Sequence, residues 1–279
     1  MIVQVNGFSI NDPTSLNSVY LDEPITGLGL APLRTSSGNY SGRDGGYTGA
    51  QFYGMRLISL PGYVWASTAA AFETARMALE AAVSSLSVTL SITTNGGSQY
   101  VVNCKLDSLD LPIQRTSTKT SFLLTLTAPD PIIYDNSAGG LNTVSIAPVG
   151  GGGVTWPIAW TPVVWAPGTL PQTVTNTGNV PIYPVITLTG PATNPTIANL
   201  TTGQFFTIQG LTTSTGDVIT IDMLNRTVLL NGGPIYTYVT LTSNWIALQP
   251  GGNTIKFTTT NSSDTVTGTI SWRSGYRGI

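Results

Sequence analysis

Between Asp135 and Asp217 the chain carries no charged residue. So long an uncharged stretch must either enter a membrane or fold into structure whose polar needs are met by backbone, Thr, Asn and Ser. The most membrane-like part is Val154–Leu170, which holds Trp156, Trp160 and Trp165. It also holds Pro157, Pro162 and Pro167, and an interior proline costs a helix about 3 kcal/mol, so about 9 kcal/mol stands against a spanning helix. The segment reads as a loop, and no membrane insertion is expected. The start, Met1-Ile2-Val3-Gln4-Val5-Asn6-Gly7, reads as a strand rather than a secretory leader.

The same poverty of ionisable groups holds along the whole chain. Only 9% of the 279 residues are charged, against about 25% in an average soluble protein. The sequence has no histidine and one cysteine, Cys104. Catalysis by Ser-His-Asp or Cys-His, histidine metal ligation, cysteine zinc clusters and an intrachain disulfide are thereby excluded. A formal net charge of −2 offers no electrostatic footprint for phosphate backbones, so sequence-specific nucleic acid is not an expected partner. Neither cofactor nor metal is expected. No enzyme is.

Periodicity supplies the fold class, which is mainly β. Leu86-Ser87-Val88-Thr89-Leu90-Ser91-Ile92-Thr93 alternates without a fault, and Asn95-Gly96-Gly97 follows as a hairpin turn. Val102, Cys104 and Leu106 then Phe122, Leu124 and Leu126 form further inward rows, and Met55–Leu60 is another strand pattern. Cys104 falls in the buried phase and reads as a core residue. One helix is predicted at about 67–86, where Phe72, Ala75, Leu79, Ala82, Val83 and Leu86 make an apolar stripe suited to a sheet face. Residues 1–135 thus read as an N-terminal β-sandwich-like domain with one α-helix.

Ala128-Pro129-Asp130-Pro131 closes that half, and composition then changes. Residues 136–171 read as a Gly/Pro/Trp-rich connection or insertion. Residues 172–279 read as a C-terminal β-sandwich, with strand patterns at Val180–Thr189, Phe205–Gln209, Asp217–Asp222, Thr227–Leu230, Trp245–Leu248, Thr254–Thr259 and Val266–Trp272. No helix is expected there.

Candidate sites are few. Asp107 with Asp110 and Asp22 with Glu23 look solvated, without the facing geometry of a hydrolytic pair. Asp217 and Asp222 lack the dense acidic spacing of a calcium loop. Arg43-Asp44-Gly45-Gly46 sits in the Gly/Ser-rich stretch Ser36–Gly49, which reads as a surface loop long enough to be an arm ordered against a neighbour. Asn39, Asn199, Asn225 and Asn261 stand in sequons. Trp156, Trp160 and Trp165 are the candidate interface residues. Aromatics so placed cap cores, anchor protein contacts or stack on sugars.

The ordered set of motifs is similar to a known family. It comprises Tyr53-Gly54-Met55-Arg56-Leu57-Ile58-Ser59-Leu60-Pro61-Gly62, the exit Pro129-Asp130-Pro131-Ile132-Ile133-Tyr134, and Asn176-Thr177-Gly178-Asn179-Val180-Pro181-Ile182-Tyr183-Pro184. Gly216–Asp222, Arg226-Thr227-Val228, Leu248-Gln249-Pro250-Gly251-Gly252-Asn253-Thr254-Ile255 and Ile270-Ser271-Trp272-Arg273 complete it. In this order they resemble the distal tail protein family of long-tailed, non-contractile phages, over most of the chain except about 137–170. The resemblance implies a structural virion protein of the tail tip, made in the host cytoplasm. It implies a homo-oligomeric ring, commonly a hexamer, that joins the tail tube protein to the tip hub and tail-associated protein and lets DNA pass. Receptor-binding proteins are further implied partners, and the C-terminal domain would be galectin- or carbohydrate-module-like. The alternative is a carbohydrate-binding β-sandwich module contacting the host surface.

Overall fold

The computed structural model describes residues 1–11, 19–22, 24–112, 118–137, 140–150 and 169–279. These fold into two compact units, Met1–Gly139 with Tyr276–Ile279 and Gly140–Gly275. The structure is mainly β in both.

The first unit contains β1 (Ile2–Val5), β2 (Phe8–Ile10), β3 (Val19–Leu21), β4 (Leu33–Asn39), β5 (Gly46–Tyr53), β6 (Arg56–Trp65), α1 (Ala69–Val83), β7 (Val88–Thr93), β8 (Gln99–Asp110), β9 (Lys119–Ala128) and β10 (Ile133–Asp135). Its main sheet runs β2-β1-β7-β8-β9-β6-β3. Strand β8 changes partner along its length. Residues 99–104 pair with β7, residues 105–110 pair with β9, and a bulge falls between Leu106 and Ser108. A bulge bends its strand and increases local twist, which lets one sheet turn a corner over one core. Alternation makes that core: Val3, Val5, Leu90, Ile92, Val102, Cys104, Leu124 and Leu126 are all buried in it.

Helix α1 adds Phe72, Leu79 and Val83 to the same core. It begins where Thr68 Oγ1 accepts the Ala71 N–H at 3.2 Å. Thr68→Ala should therefore cost about 1 kcal/mol, read from the urea unfolding curve of the first unit. The helix stops at Val83, three residues short of the sequence expectation. Ser84 both donates its hydroxyl to Ala81 O at 2.9 Å and closes the last turn, and a serine that satisfies terminal carbonyls competes with further helix. Leu86, assigned to the stripe and to the next strand, belongs to neither and is 92% exposed.

The second unit is a sandwich of two antiparallel sheets. One is β11 (Asn142–Ile146)-β20 (Thr267–Trp272)-β13 (Val185–Thr189)-β16 (Val218–Asp222)-β17 (Thr227–Leu230)-β18 (Gly233–Pro234). The other is β12 (Gln172–Asn176)-β19 (Gly251–Thr258)-β14 (Thr196–Asn199)-β15 (Gln204–Thr207). Ile186, Leu188, Ile219, Ile221 and Ile270 from the first sheet, and Val174, Ile197, Phe206, Ile255 and Phe257 from the second, are buried. Within the span read as a connection, Asn142–Ile146 is a full strand paired with β20. Two strand readings shrink. Pro181 and Pro184 confine the strand to Val185–Thr189, with Ile182 making only an isolated bridge to Leu248. Trp245–Leu248 is irregular, although Ile246 and Leu248 are buried. Tyr236–Tyr238 forms a single 3-10 turn where no helix was expected.

Candidate functional site

Several of the polar residues singled out in the sequence hold turns or core contacts together. Asp222 accepts the N–H groups of Leu224 and Asn225, each at 2.9 Å, and shapes the β16–β17 turn. The backbone N–H of Ser214 and the Asn231 amide hold the Asp217 carboxyl below the usual carboxylate range. Asp107, at the β8 bulge, and Asp110 are exposed, and Asp22 is exposed beside Glu23, which lies outside the described residues. Among the described residues, no group of three acidic, cysteine or histidine side chains could hold a metal. Cys104 is buried, and burial pushes its thiol up to about 12. Asn199, one of the sequon asparagines, is wholly buried and donates to Ala247 O and Asn253 Oδ1, both at 3.1 Å. Trp156, Trp160 and Trp165 lie outside the described residues.

What stands out instead is a hairpin. The stretch read as a surface loop forms β4 and β5, a two-stranded sheet that pairs with no other described strand. The register runs Leu33↔Tyr53, Arg34↔Phe52 and Thr35↔Gln51, then after a bulge Ser37↔Thr48, Gly38↔Tyr47 and Asn39↔Gly46. Tyr40 N donates to Gly45 O at 3.1 Å to close the tip, and Gly42 and Gly45 take the positive φ that the turn requires. The sequence signal was the run of β-formers Tyr47-Thr48 and Gln51-Phe52-Tyr53 behind Asp44-Gly45-Gly46.

None of the residues of β4 or β5 is buried. Yet the hairpin carries large apolar groups, with Phe52 59% and Tyr47 54% exposed. Arginines lie over its rings: Arg43 Cζ is 3.8 Å from the Tyr40 ring centre, and Arg34 Cζ is 5.9 Å from that of Phe52. Tyr40 and Tyr47 approach at 6.1 Å. An isolated two-stranded hairpin is marginal in water. Tyr, Phe and Arg are also the residue types that concentrate binding energy at protein interfaces. The arrangement has the residue types of a binding surface.

Residues 177–276 match the family model described as the siphovirus-type tail component, C-terminal domain. Over the whole chain the fold is similar to the crystal structure of SPP1 Dit (gp 19.1), described as a paradigm of the hub adsorption apparatus in phages infecting Gram-positive bacteria. The TM-score is 0.67 at 14% identity, with 98% of each chain covered. A chain of the phage P2 baseplate in its activated conformation with calcium aligns at a TM-score of 0.48 and 11% identity, covering 97% of this chain and 98% of that one. No curated protein sequence matches. Residues 177–276 thus match the C-terminal domain of the siphovirus-type tail component family, and the fold of the chain is similar to that of SPP1 Dit.

Proposed function

We propose that this chain is the distal tail protein of a siphophage, a non-enzymatic virion component that forms a ring between the tail tube and the tip hub. The single observation that carries the ring is the Leu33–Tyr53 hairpin, exposed along both strands and set with Arg34, Tyr40, Arg43, Tyr47 and Phe52. A cyclic ring needs two different patches per subunit, one meeting the other on the next copy. A projecting arm and the surface that receives it are such a pair. Few charges suit the task, because contacts of this kind draw on shape, aromatic burial and backbone pairing. The first unit would form the ring, commonly a hexamer in the family, and the second would face outward. Tail tube protein, tip hub and receptor-binding proteins are the corresponding partners, and DNA would pass the lumen.

The test is the mass of the full chain by light scattering at tens of micromolar. The expected particle is a closed ring, six times the protomer's 29.3 kDa. A variant in which an Asn-Gly turn joins Leu33 directly to Tyr53 should return to protomer mass while keeping its circular dichroism spectrum. A ring of unchanged mass without the hairpin would remove the hairpin from the interface. A wild-type chain that stays monomeric even with its tube protein present would end the ring reading.

A further inference from the structure

Arg56 is the one charged side chain buried among the described residues, and it has no carboxylate beside it. All five of its N–H donors go to backbone carbonyls. Nε and Nη2 donate to Pro131 O at 3.2 and 2.9 Å, and Nη2 also donates to Arg277 O at 2.6 Å. Nη1 donates to Gly27 O at 2.5 Å and to Gly29 O. Burial pulls the pKa of the guanidinium down, yet arginine stays charged, so the carbonyl dipoles must supply the solvation that water would have given.

Those carbonyls come from three passages of chain. Gly27 and Gly29 lead into the hairpin at Leu33. Pro131 lies on the way out toward the second unit, held by a tight turn in which Asp130 accepts Ile132 N at 3.0 Å and the Tyr134 hydroxyl at 2.6 Å. Arg277 lies just past the return from the second unit, since Tyr276–Ile279 fold back into the first. The returning residues add contacts to the hairpin foot: the Arg277 guanidinium sits 4.4 Å from the Tyr53 ring centre, and Ile279 N donates to Leu28 O at 3.1 Å. Across the foot, Gly54 N donates to Pro32 O at 2.7 Å.

We infer that Arg56 is a mechanical junction, fastening the foot of the hairpin to both passages of chain that flank the second unit. Displacing either passage loosens the hairpin foot, so a load on the second unit is felt by the arm. The junction lies wholly within one protomer. It can therefore be tested on the protomer whether or not the arm serves a ring.

The experiment is hydrogen exchange by mass spectrometry on the full chain, with two variants. Arg56→Lys keeps the charge but gathers its three donors on one compact nitrogen, which lacks the planar spread by which the guanidinium reaches carbonyls on all three passages at once. Gly278→Val leaves Arg56 intact and wedges the returning residues away, because a Cβ at 278 would stand 2.9 Å from Gly29 C and 3.0 Å from Gly29 O. In both variants, peptides covering 27–34, 51–56 and 276–279 should exchange at least tenfold faster, while 218–230 keeps its rate. Release of 276–279 in Gly278→Val with 27–34 and 51–56 unchanged overturns the inference, as does full protection of all three segments in Arg56→Lys. If Arg56→Lys opens β7 and β9 as well, Gly278→Val alone decides.

Discussion

Replacing Gly178 by alanine is expected to lower the stability of the second unit by about 3 kcal/mol, the upper part of the range for forcing extra volume into a packed site. A Cβ at this position would lie 2.0 Å from Gly275 O and 2.6 Å from Gly275 N, and backbone atoms cannot swing aside as a side chain would. The approach is close because the Asn176–Asn179 turn is sewn to the far end of the unit. Asn179 N donates to Gly275 O at 2.9 Å, and Thr177 reaches the buried Ser274 hydroxyl through its N–H at 3.0 Å and its own hydroxyl at 2.9 Å. Calorimetry should show the melting step of this unit shifted down by roughly 6–12 °C, with the first unit's step in place. A shift under a degree would mean that the two glycines are not held together in solution.

The second large effect belongs to Asn253, whose side chain is wholly buried in the Leu248–Ile255 motif. Its Oδ1 accepts Gln249 N at 2.9 Å and Asn199 Nδ2 at 3.1 Å, while its Nδ2 donates to Gln249 O at 2.8 Å and Gly251 O at 3.1 Å. Asn253→Ala strips four hydrogen bonds and leaves buried groups behind, each of which costs about 1–3 kcal/mol when nothing replaces its partner. Part of the loss is recovered, because Asn199 keeps Ala247 O. A net loss of about 3–4 kcal/mol is expected in equilibrium unfolding with urea. If the midpoint barely moves, water has taken over the site and the amide is dispensable.

Strands that bury one face could be read directly from the order of residues. Val88–Thr93 alternates because every second side chain enters the core, and the second unit's β-sandwich announced itself through Thr-, Val- and Ile-rich runs cut by turns. The hairpin could not be read this way. Neither of its faces is buried within the protomer, so no apolar alternation was needed, and only its β-formers and its turn residues marked it. Arg56 escaped for a related reason. A charged residue is normally taken for a solvent position, although its spacing from Ile58, Leu60 and Val64 put it in the inward phase of β6. Leu86 shows the reverse error, an apolar residue credited to two elements and used by neither. Two of the motifs within residues 177–276, the span of the tail-component model, have a physical reason in Gly178 and Asn253.

The return of Tyr276–Ile279 to the first unit also sets the order in which the polypeptide can mature. Arg56 must wait for a carbonyl 221 residues further along before its last bond can form. At ribosomal speeds of about 5–20 residues per second, that interval is roughly 11–44 s. Throughout it the nascent first unit remains unfinished at its arm, while the whole inserted sandwich emerges and can fold. The foot of the hairpin is therefore the last part of the first unit to be braced.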